Sequence, residues 1–338
     1  MTDLSFDPFP VPLITGILVI FLTYYFYIRD DSATSKLWHQ VKHITPLLLD
    51  RKKKYSVVLV EKKALTHDTF QYRFSLGNNK LRLGLPVGKC LKVFTPNLAH
   101  IQQSNEWNPH QASAVKDFSD MNKDGSWKEE IERKYTPTSL ENELGYFNFT
   151  IKTYRANVSN IFPNGGKMSQ YFESLRIGDC LKISGPYGKL EYLGRGEWKG
   201  SGKKFGRKTR IGLLAGGSGV TPMLQVIQAV LQDPKDETTI SLLYANKMID
   251  DIIVKKQLDA WSRESNGKFV VEYTLDDPPV GWTGRTGFIT AEMIKNTLPP
   301  PSEETLVLMC GPPPMIQYAC LNNLEINGYD MKNGVGEF

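Results

Sequence analysis

The periodicity of the chain changes once, near residue 210, and that change limits the folds open to it. Before it, strand-type segments at residues 56–60, 70–76, 90–94, 145–153 and 180–184 are separated by turn residues. Short strands set apart by turns imply an antiparallel barrel. After it, residues 211–215 form an unbroken apolar strand that ends in glycines. A helix follows, with Met223, Val226, Ile227, Val230 and Leu231 on one face, at the spacing an amphipathic helix requires. Strands at residues 240–244, 269–275 and 306–309 then alternate with helical stretches, which implies a parallel sheet with helices on both faces. The expected fold class is β plus α/β. A barrel spans residues 55–192, a linker rich in Gly, Lys and Arg spans 193–210, and an α/β domain spans 211–338.

Composition removes several other functions. At 338 residues the chain is long enough for two domains. Its net charge of +5 lies in short clusters, so nucleic acid is not an expected partner. Cys90, Cys180, Cys310 and Cys320 form no C-x-x-C pair, which gives no support to a zinc ribbon or a redox dithiol. A reducing compartment is the simpler reading.

Residues 8–28 carry no charge and are rich in Ile, Leu, Val, Phe and Tyr. As a helix they are about long enough to cross the ~30 Å hydrocarbon layer. Asp3 and Asp7 precede this stretch, while Arg29, Lys36, Lys42 and a basic cluster at 51–54 follow it. Positive charge on the C-terminal side places the large domain in the cytoplasm. A basic leading region is missing, so an uncleaved transmembrane helix is expected rather than a signal peptide. Residues 1–54 then form an anchor and a polar linker, with a short amphipathic element at 37–49.

Two short runs carry the chemistry of the first domain. RKYTPTS at residues 133–139 supplies Arg133, whose fork can hold a pyrophosphate. Tyr135, Thr136 and Pro137 add an aromatic face, a hydroxyl and a rigid turn, which suit a planar ring system. GGKMS at 165–169 places two glycines ahead of a stripe formed by Met168, Tyr171, Phe172 and Leu175. Free N–H groups at that helix start bind phosphate readily. The two runs together read as a flavin dinucleotide site.

In the second domain Gly216, Gly217, Ser218 and Gly219 form a turn suited to another pyrophosphate. Thr221 is expected to cap the next helix, with Pro222 at its first position. The turn is not the G-x-G-x-x-G fingerprint, because proline stands in the third glycine's place. Asp276 ends a strand, where an acid can accept from a ribose diol and repel a 2′-phosphate, which favours NADH over NADPH. It also suits a turn ahead of Asp277, Pro278 and Pro279. Cys310 precedes Gly311, Pro312, Pro313, Pro314 and Met315, a loop at the sheet's ligand-binding edge. Thr150, Lys152 and Tyr154 share one strand at period 2 and so one face. Barrel core for Tyr135 and Tyr154, a solvated surface charge for Lys152 and a buried structural thiol for Cys310 are the plainer alternatives.

At these residues the chain resembles the NADH-cytochrome b5 reductase family of ferredoxin-reductase-like flavoproteins. Further ordered matches are LGLPVGK at 83–89, TIKTY at 150–154 and GDCLKISGPYG at 178–188. LLAGGSGVTPMLQVI at 213–227, YTLD at 273–276 and LVLMCGPPPMIQYAC at 306–320 complete the series. The likeness runs from about residue 55 to 338, with an interruption near 94–132. It implies a flavin-binding barrel followed by a nucleotide-binding domain, with FAD and NADH as cofactors.

Carried over residue by residue, Arg133 and Ser169 would bind the FAD pyrophosphate, with backbone contacts from Gly166, Lys167 and Met168. Tyr135 would pack on the flavin between Lys134 and Pro137, with Thr136 beside the reactive ring edge. Thr150, Lys152 and Tyr154 would face flavin and nicotinamide. Gly216, Gly217, Ser218, Gly219 and Thr221 would cradle the NADH pyrophosphate. Cys310, Gly311, Pro312 and Met315 would lie by the nicotinamide. Thr136, Lys152 and Cys310 are thus the catalytic candidates. Lys134 stands where the family usually has proline, and Arg155 where an aromatic residue is frequent. All five histidines fall outside the motifs, so no histidine base is expected.

The implied activity is that of a membrane-anchored reductase passing single electrons from NADH to cytochrome b5 or a similar haem protein. Its single-pass anchor would lie in the endoplasmic reticulum or the mitochondrial outer membrane, with the catalytic domain cytoplasmic. Alternatives are another acceptor (a quinone, a ferric chelate or a desaturase chain) and a flavin-binding scaffold without catalysis. Within the interruption, Asp120, Asn122, Asp124 and Gly125 open like a calcium loop, but Ile131 holds the position that needs Glu. A surface loop without metal is therefore expected there.

Overall fold

Strand alternation builds the first layer. In the computed structural model, which describes residues 45–97, 120, 122–126, 128–158, 164–200 and 205–338, the first strand β1 (Tyr55–Ala64) turns Val57 and Leu59 inward while their neighbours face out. With β2 (Thr69–Ser75), β3 (Cys90–Pro96), β4 (Glu130–Tyr135), β5 (Tyr146–Lys152) and β6 (Cys180–Tyr187) it forms a six-stranded antiparallel sheet in the order β4-β3-β6-β1-β2-β5. Just past β4, the Thr138 N–H donates to the Asn148 carbonyl at 2.8 Å, so the two edge strands meet there. Strands β3 and β4 pair from Leu91 opposite Tyr135 to Pro96 opposite Glu130. The interruption seen in the sequence therefore hangs from a regular hairpin stem.

One aromatic side chain anchors this layer. The helix α1 (Lys167–Ser174) inserts Phe172, fully buried, among Tyr72, Phe74, Tyr135 and Phe149, with ring centroids 5.2 to 6.4 Å away. Most of these contacts are edge-to-face or tilted, the arrangement that ring quadrupoles favour. Arg155 ties α1 to the chain after β5 through Glu173 at 2.6 Å, so that side chain serves the barrel.

The described residues of the segment read as a linker, 193–200 and 205–210, are folded. Strands β7 (Leu190–Gly194), β8 (Glu197–Gly200) and β9 (Gly206–Arg207) form a small antiparallel meander. Its glycines turn the chain, while Tyr192 and Trp198 pack together at 4.8 Å and are both buried. Apolar residues scattered among Gly and Lys reach a core that the local composition does not announce.

The second layer is a parallel sheet of β10 (Arg210–Gly216), β11 (Thr239–Asn246), β12 (Phe269–Leu275), β13 (Arg285–Thr286), β14 (Thr305–Cys310) and β15 (Val335–Glu337). Its order is β13-β12-β11-β10-β14-β15. Alternate residues of β10 enter different cores. Ile211, Leu213 and Ala215 pack with Met223, Val226 and Ile227 of α2 (Val220–Gln232) and Leu258 of α3 (Lys255–Glu264). Leu214 packs with Ile294 of α4 (Ala291–Thr297), Leu324 of α5 (Asn322–Ile326), and Ile316 and Cys320 of the preceding π-helical turn. Helices thus cover both faces, and both layers belong to one unit, Pro46–Phe338.

The membrane helix expected at residues 8–28 lies outside the described residues, as do 98–119 of the interruption and all but residues 45–49 of the amphipathic element. Among the described residues no helix is long and apolar enough to cross a membrane. Replacing Phe172 by alanine should cost about 3–5 kcal/mol of stability through the cavity left behind. Urea unfolding of the purified protein measures this, and a loss near zero would show that the barrel does not depend on that ring.

Candidate functional site

The sheet order creates the site. From the central strand β10 the chain enters α2 on one face, and from its neighbour β14 it enters the π-helical turn on the other. Where two adjacent parallel strands send their connections to opposite faces, a crevice opens at their C-terminal ends. Here the loops Gly216–Gly219 and Cys310–Pro312 meet. A Cβ on Gly219 would lie 2.2 Å from the Cys310 carbonyl oxygen, so only glycine fits. Gly217 adopts φ +53° with nothing near its missing side chain, which leaves its backbone open to a ligand.

Across the crevice stands the barrel. A cavity of about 820 Å³ is lined on the barrel side by Lys134, Tyr135, Thr136, Thr150, Lys152, Tyr154 and Gly166, and on the other by Gly216–Gly219, Thr221, Cys310, Gly311 and Pro312. Such a volume lies toward the upper end of small-molecule sites, roughly 300–1,000 Å³. Gly88, Cys90, Glu337 and Phe338 also line it and were not among the expected site residues.

Other expected residues stand behind the wall or at its end. Met168 is buried in the barrel core. The Ser169 hydroxyl accepts from the Tyr154 N–H at 3.1 Å and donates to the Gly166 carbonyl at 3.0 Å, so it shapes the turn beneath Tyr154. The Pro137 carbonyl accepts from Gln225, and Met315 opens the π-helical turn. Asp276 is exposed at the end of β12, its N–H bonded to the Asn246 carbonyl. Arg133 and Lys167 converge on Asp120.

Thr221 is not the helix cap. The helix starts at Val220 after a tight turn at Gly217–Gly219, with Gly219 in the cap position. Thr221 therefore lies inside the first turn, and its hydroxyl donates back to the Ser218 carbonyl at 3.2 Å. Asp120 is paired with side chains, and Asp124 accepts from Ser126.

Polar ties hold the walls together through Gln225, through Gln228, whose amide donates to the Thr138 carbonyl at 3.2 Å, and through Lys152; of these only Lys152 was expected at the site. Gln225 is almost wholly buried on the side of α2 away from its apolar stripe. Its amide donates to the Pro137 carbonyl at 3.0 Å and accepts from the Gly88 N–H at 2.9 Å. Its signal in the sequence was a glutamine in a largely apolar helix that also carries Gln228 and Gln232. Lys152 on β5 bonds Asp68 at 3.0 Å and Asp251, beside α3, at 2.6 Å. Asp68, Asp251 and His67 lie close enough together to suggest a metal, but the ammonium already bridges the two carboxylates.

The electrostatics define what these groups can do. Burial works against a charge on Lys152, but the bonds from Asp251 and Asp68 override it and raise its pKa. It is a structural cation and a poor proton donor. Burial pushes the Cys310 thiol up to about 11, with Glu337 and Cys90 acting in the same direction. A thiol held protonated is no nucleophile. Burial also raises the Tyr135 phenol, whose ring meets Phe172 edge-on at 5.2 Å while the residue lines the cavity.

These residues fit the cofactors that the motifs imply. Arg133 and Lys167 hold a carboxylate by three charge-assisted hydrogen bonds, the donor set that a phosphate takes. Tyr135, Thr136 and Thr150 offer a ring surface and hydroxyls, and the glycine loops offer backbone N–H groups.

The Lys152 bridge has a defined pH window. Burial raises the Asp68 pKa, but the bonds from Lys152, Thr69 and Thr66 leave it below the usual value. Its contribution is therefore present above about pH 3.9 and is lost as pH falls through the lower folded value. The raised Lys152 pKa makes its contribution complete below about pH 10.4 and lost as pH rises through the folded value. Lys152→Met should lower the melting temperature between these limits and flatten both limbs of the melting temperature–pH curve. A parallel downward shift at every pH would refute the bridge.

Comparison with known proteins agrees with this geometry. Residues 56–122 and 120–192 match the oxidoreductase FAD-binding domain, and residues 213–321 match the oxidoreductase NAD-binding domain. The chain is 42% identical to NADH-cytochrome b5 reductase 2 of Xenopus laevis over 83% of its length and 87% of the relative's. It is 39% identical to the NADH nitrate reductase of Petunia hybrida over 91% of its own length but only 31% of that protein. Among solved structures, the cytochrome b5 reductase domain of Ulva prolifera nitrate reductase superposes with a TM-score of 0.75 at 34% identity, covering 87% of this chain and 99% of that one.

Proposed function

Because the chain belongs to the NADH-cytochrome b5 reductase family, we propose that it takes hydride from NADH and hands single electrons to cytochrome b5 or a similar haem protein. It is an NADH-dependent oxidoreductase with FAD and NADH as cofactors. The observation that carries the reading is one cavity walled by both sets of motifs, with Thr136 on one side and Cys310 on the other. FAD, when bound, supplies the change from two-electron to one-electron chemistry.

The protein's own contribution is placement. Tyr135 backs the ring, and the Thr136 hydroxyl offers a hydrogen bond at its edge. Gly217 and Ser218 present N–H groups to the second nucleotide's phosphates. Cys310 fills space as a neutral thiol. Lys152 and Gln225 keep the two walls in register, which sets the distance between the two rings. No side chain is asked to move a proton, and the wall's described residues include no histidine.

Asp276, exposed beyond β12, is assigned to the adenosine ribose. Asp276→Thr should shift the ratio of NADPH to NADH turnover upward by about tenfold. An unaltered ratio in steady-state kinetics would remove that role.

Residues 8–28 are assigned to a single-pass anchor in the endoplasmic reticulum or the mitochondrial outer membrane, with the remainder in the cytoplasm. Deleting residues 1–30 should move the protein from the membrane pellet to the supernatant, and continued pelleting would refute the anchor. The nitrate reductase relatives favour a second reading, in which a different redox centre takes the electrons. Stopped-flow reduction separates the readings. Purified yellow protein should be bleached by NADH and reoxidised faster by cytochrome b5 than by quinones or ferric chelates. Yellow protein that NADH does not bleach would mark a scaffold without catalysis.

A further inference from the structure

Arg133, assigned above to the flavin pyrophosphate, and the Lys167 ammonium beside it already hold an anion supplied by the chain itself. Asp120 is 1% exposed. Arg133 grips it with both arms of its fork, Nη1 to Oδ1 at 2.9 Å and Nη2 to Oδ2 at 3.0 Å. Lys167 adds a third bond to Oδ2 at 2.8 Å. The Asp120 carbonyl accepts from the Lys128 N–H at 2.9 Å, which fixes the backbone close to β4. Burial alone would favour a neutral carboxyl, but the bonds from Arg133 and Lys167 override it and keep Asp120 ionised.

The location gives this triad its meaning. The cavity wall runs through Lys134 and Tyr135, which follow Arg133, and through Gly165 and Gly166, which precede Lys167. Asp120 therefore sits at that end of the cavity, between the two cations. A carboxylate and a phosphate oxygen pair compete for the same planar fork. A dinucleotide pyrophosphate brings two negative charges, and a carboxylate retained between the cations would be a third, which like-charge repulsion disfavours.

We propose that Asp120 is an internal stand-in for phosphate, which holds the Arg133–Lys167 site in the flavin-free protein and must be displaced when the FAD pyrophosphate arrives. Flavin loading is then an exchange of one anion for another. The inference rests on the assignment of Arg133 to the pyrophosphate. It predicts opposite effects on two measurable quantities: removing the carboxylate weakens the apoprotein and strengthens its grip on FAD. A merely structural aspartate would weaken both.

The test uses the full chain stripped of flavin, with FAD affinity read from flavin fluorescence and apoprotein stability from thermal unfolding. Asp120→Asn should bind FAD about tenfold more tightly than wild type, the scale of one charged contact exchanged, while the apoprotein melts at a lower temperature. Asp120→Glu, which keeps the charge, should stay within about threefold of wild-type affinity. Arg133→Ala should lose FAD. If Asp120→Asn binds FAD no more tightly while Arg133→Ala loses it, the exchange is overturned and the pyrophosphate assignment stands. If Arg133→Ala binds FAD normally, that assignment falls and the exchange with it. Should the Asp120→Asn apoprotein not fold, refolding with FAD present decides: yellow protein supports the exchange, and none overturns it.

Discussion

The close approach of the loops after β10 and β14 is the constraint on which the rest of the molecule depends. With the Gly219 Cα almost against the Cys310 carbonyl, the two connections can part to opposite faces of the sheet and leave a crevice between them. The helices then build separate cores, one around α2 and α3 and one around α4 and α5. The crevice inherits the backbone of its glycine loops, open at Gly217. A nucleotide site at this position follows from the sheet order as much as from the residues that line it.

A crevice alone would hold one ligand, and the barrel supplies the other half. Part of its attachment is polar, through the buried Gln225 amide, Gln228 and the Lys152 bridge to Asp251. Directional bonds at a buried junction set a distance more narrowly than apolar contact does, because an unpaired polar group there is costly. For a reaction whose rate depends on the spacing of two rings, a narrowly set distance is the useful property. Lys152 thus has a larger part than a charge near the flavin would have, since it couples β5 to the opposite wall.

The polar interior also pairs cations with an anion from the same chain. Arg133 and Lys167 are partly buried cations on neighbouring elements, and two such charges facing each other without an anion would repel. Asp120 resolves that conflict from within the long connection between β3 and β4. The FAD-binding family match breaks in the same neighbourhood, where its two segments overlap at residues 120–122. The feature thus lies where the match to the family model is divided.

Sequence by itself determined the two-layer plan, because period 2 before residue 210 and strand–helix alternation after it are local properties with local causes. It also located Tyr135, Thr136, Cys310 and the glycine turn, since each sits in a run whose backbone demands are specific to it. Three things escaped it. The meander over residues 190–207 was hidden because its strands are short and its apolar residues find partners only far along the chain. Thr221 was misplaced as a cap because the tight turn at Gly217–Gly219 brings the helix start forward, which residue type does not reveal. Asp120 was read only as part of a surface loop, and Gln225 and Asp251 were overlooked, because an isolated carboxylate or amide takes its meaning from what folding sets against it. Only the tertiary structure decided those pairings, through contacts between residues that the chain keeps 13 to 137 positions apart.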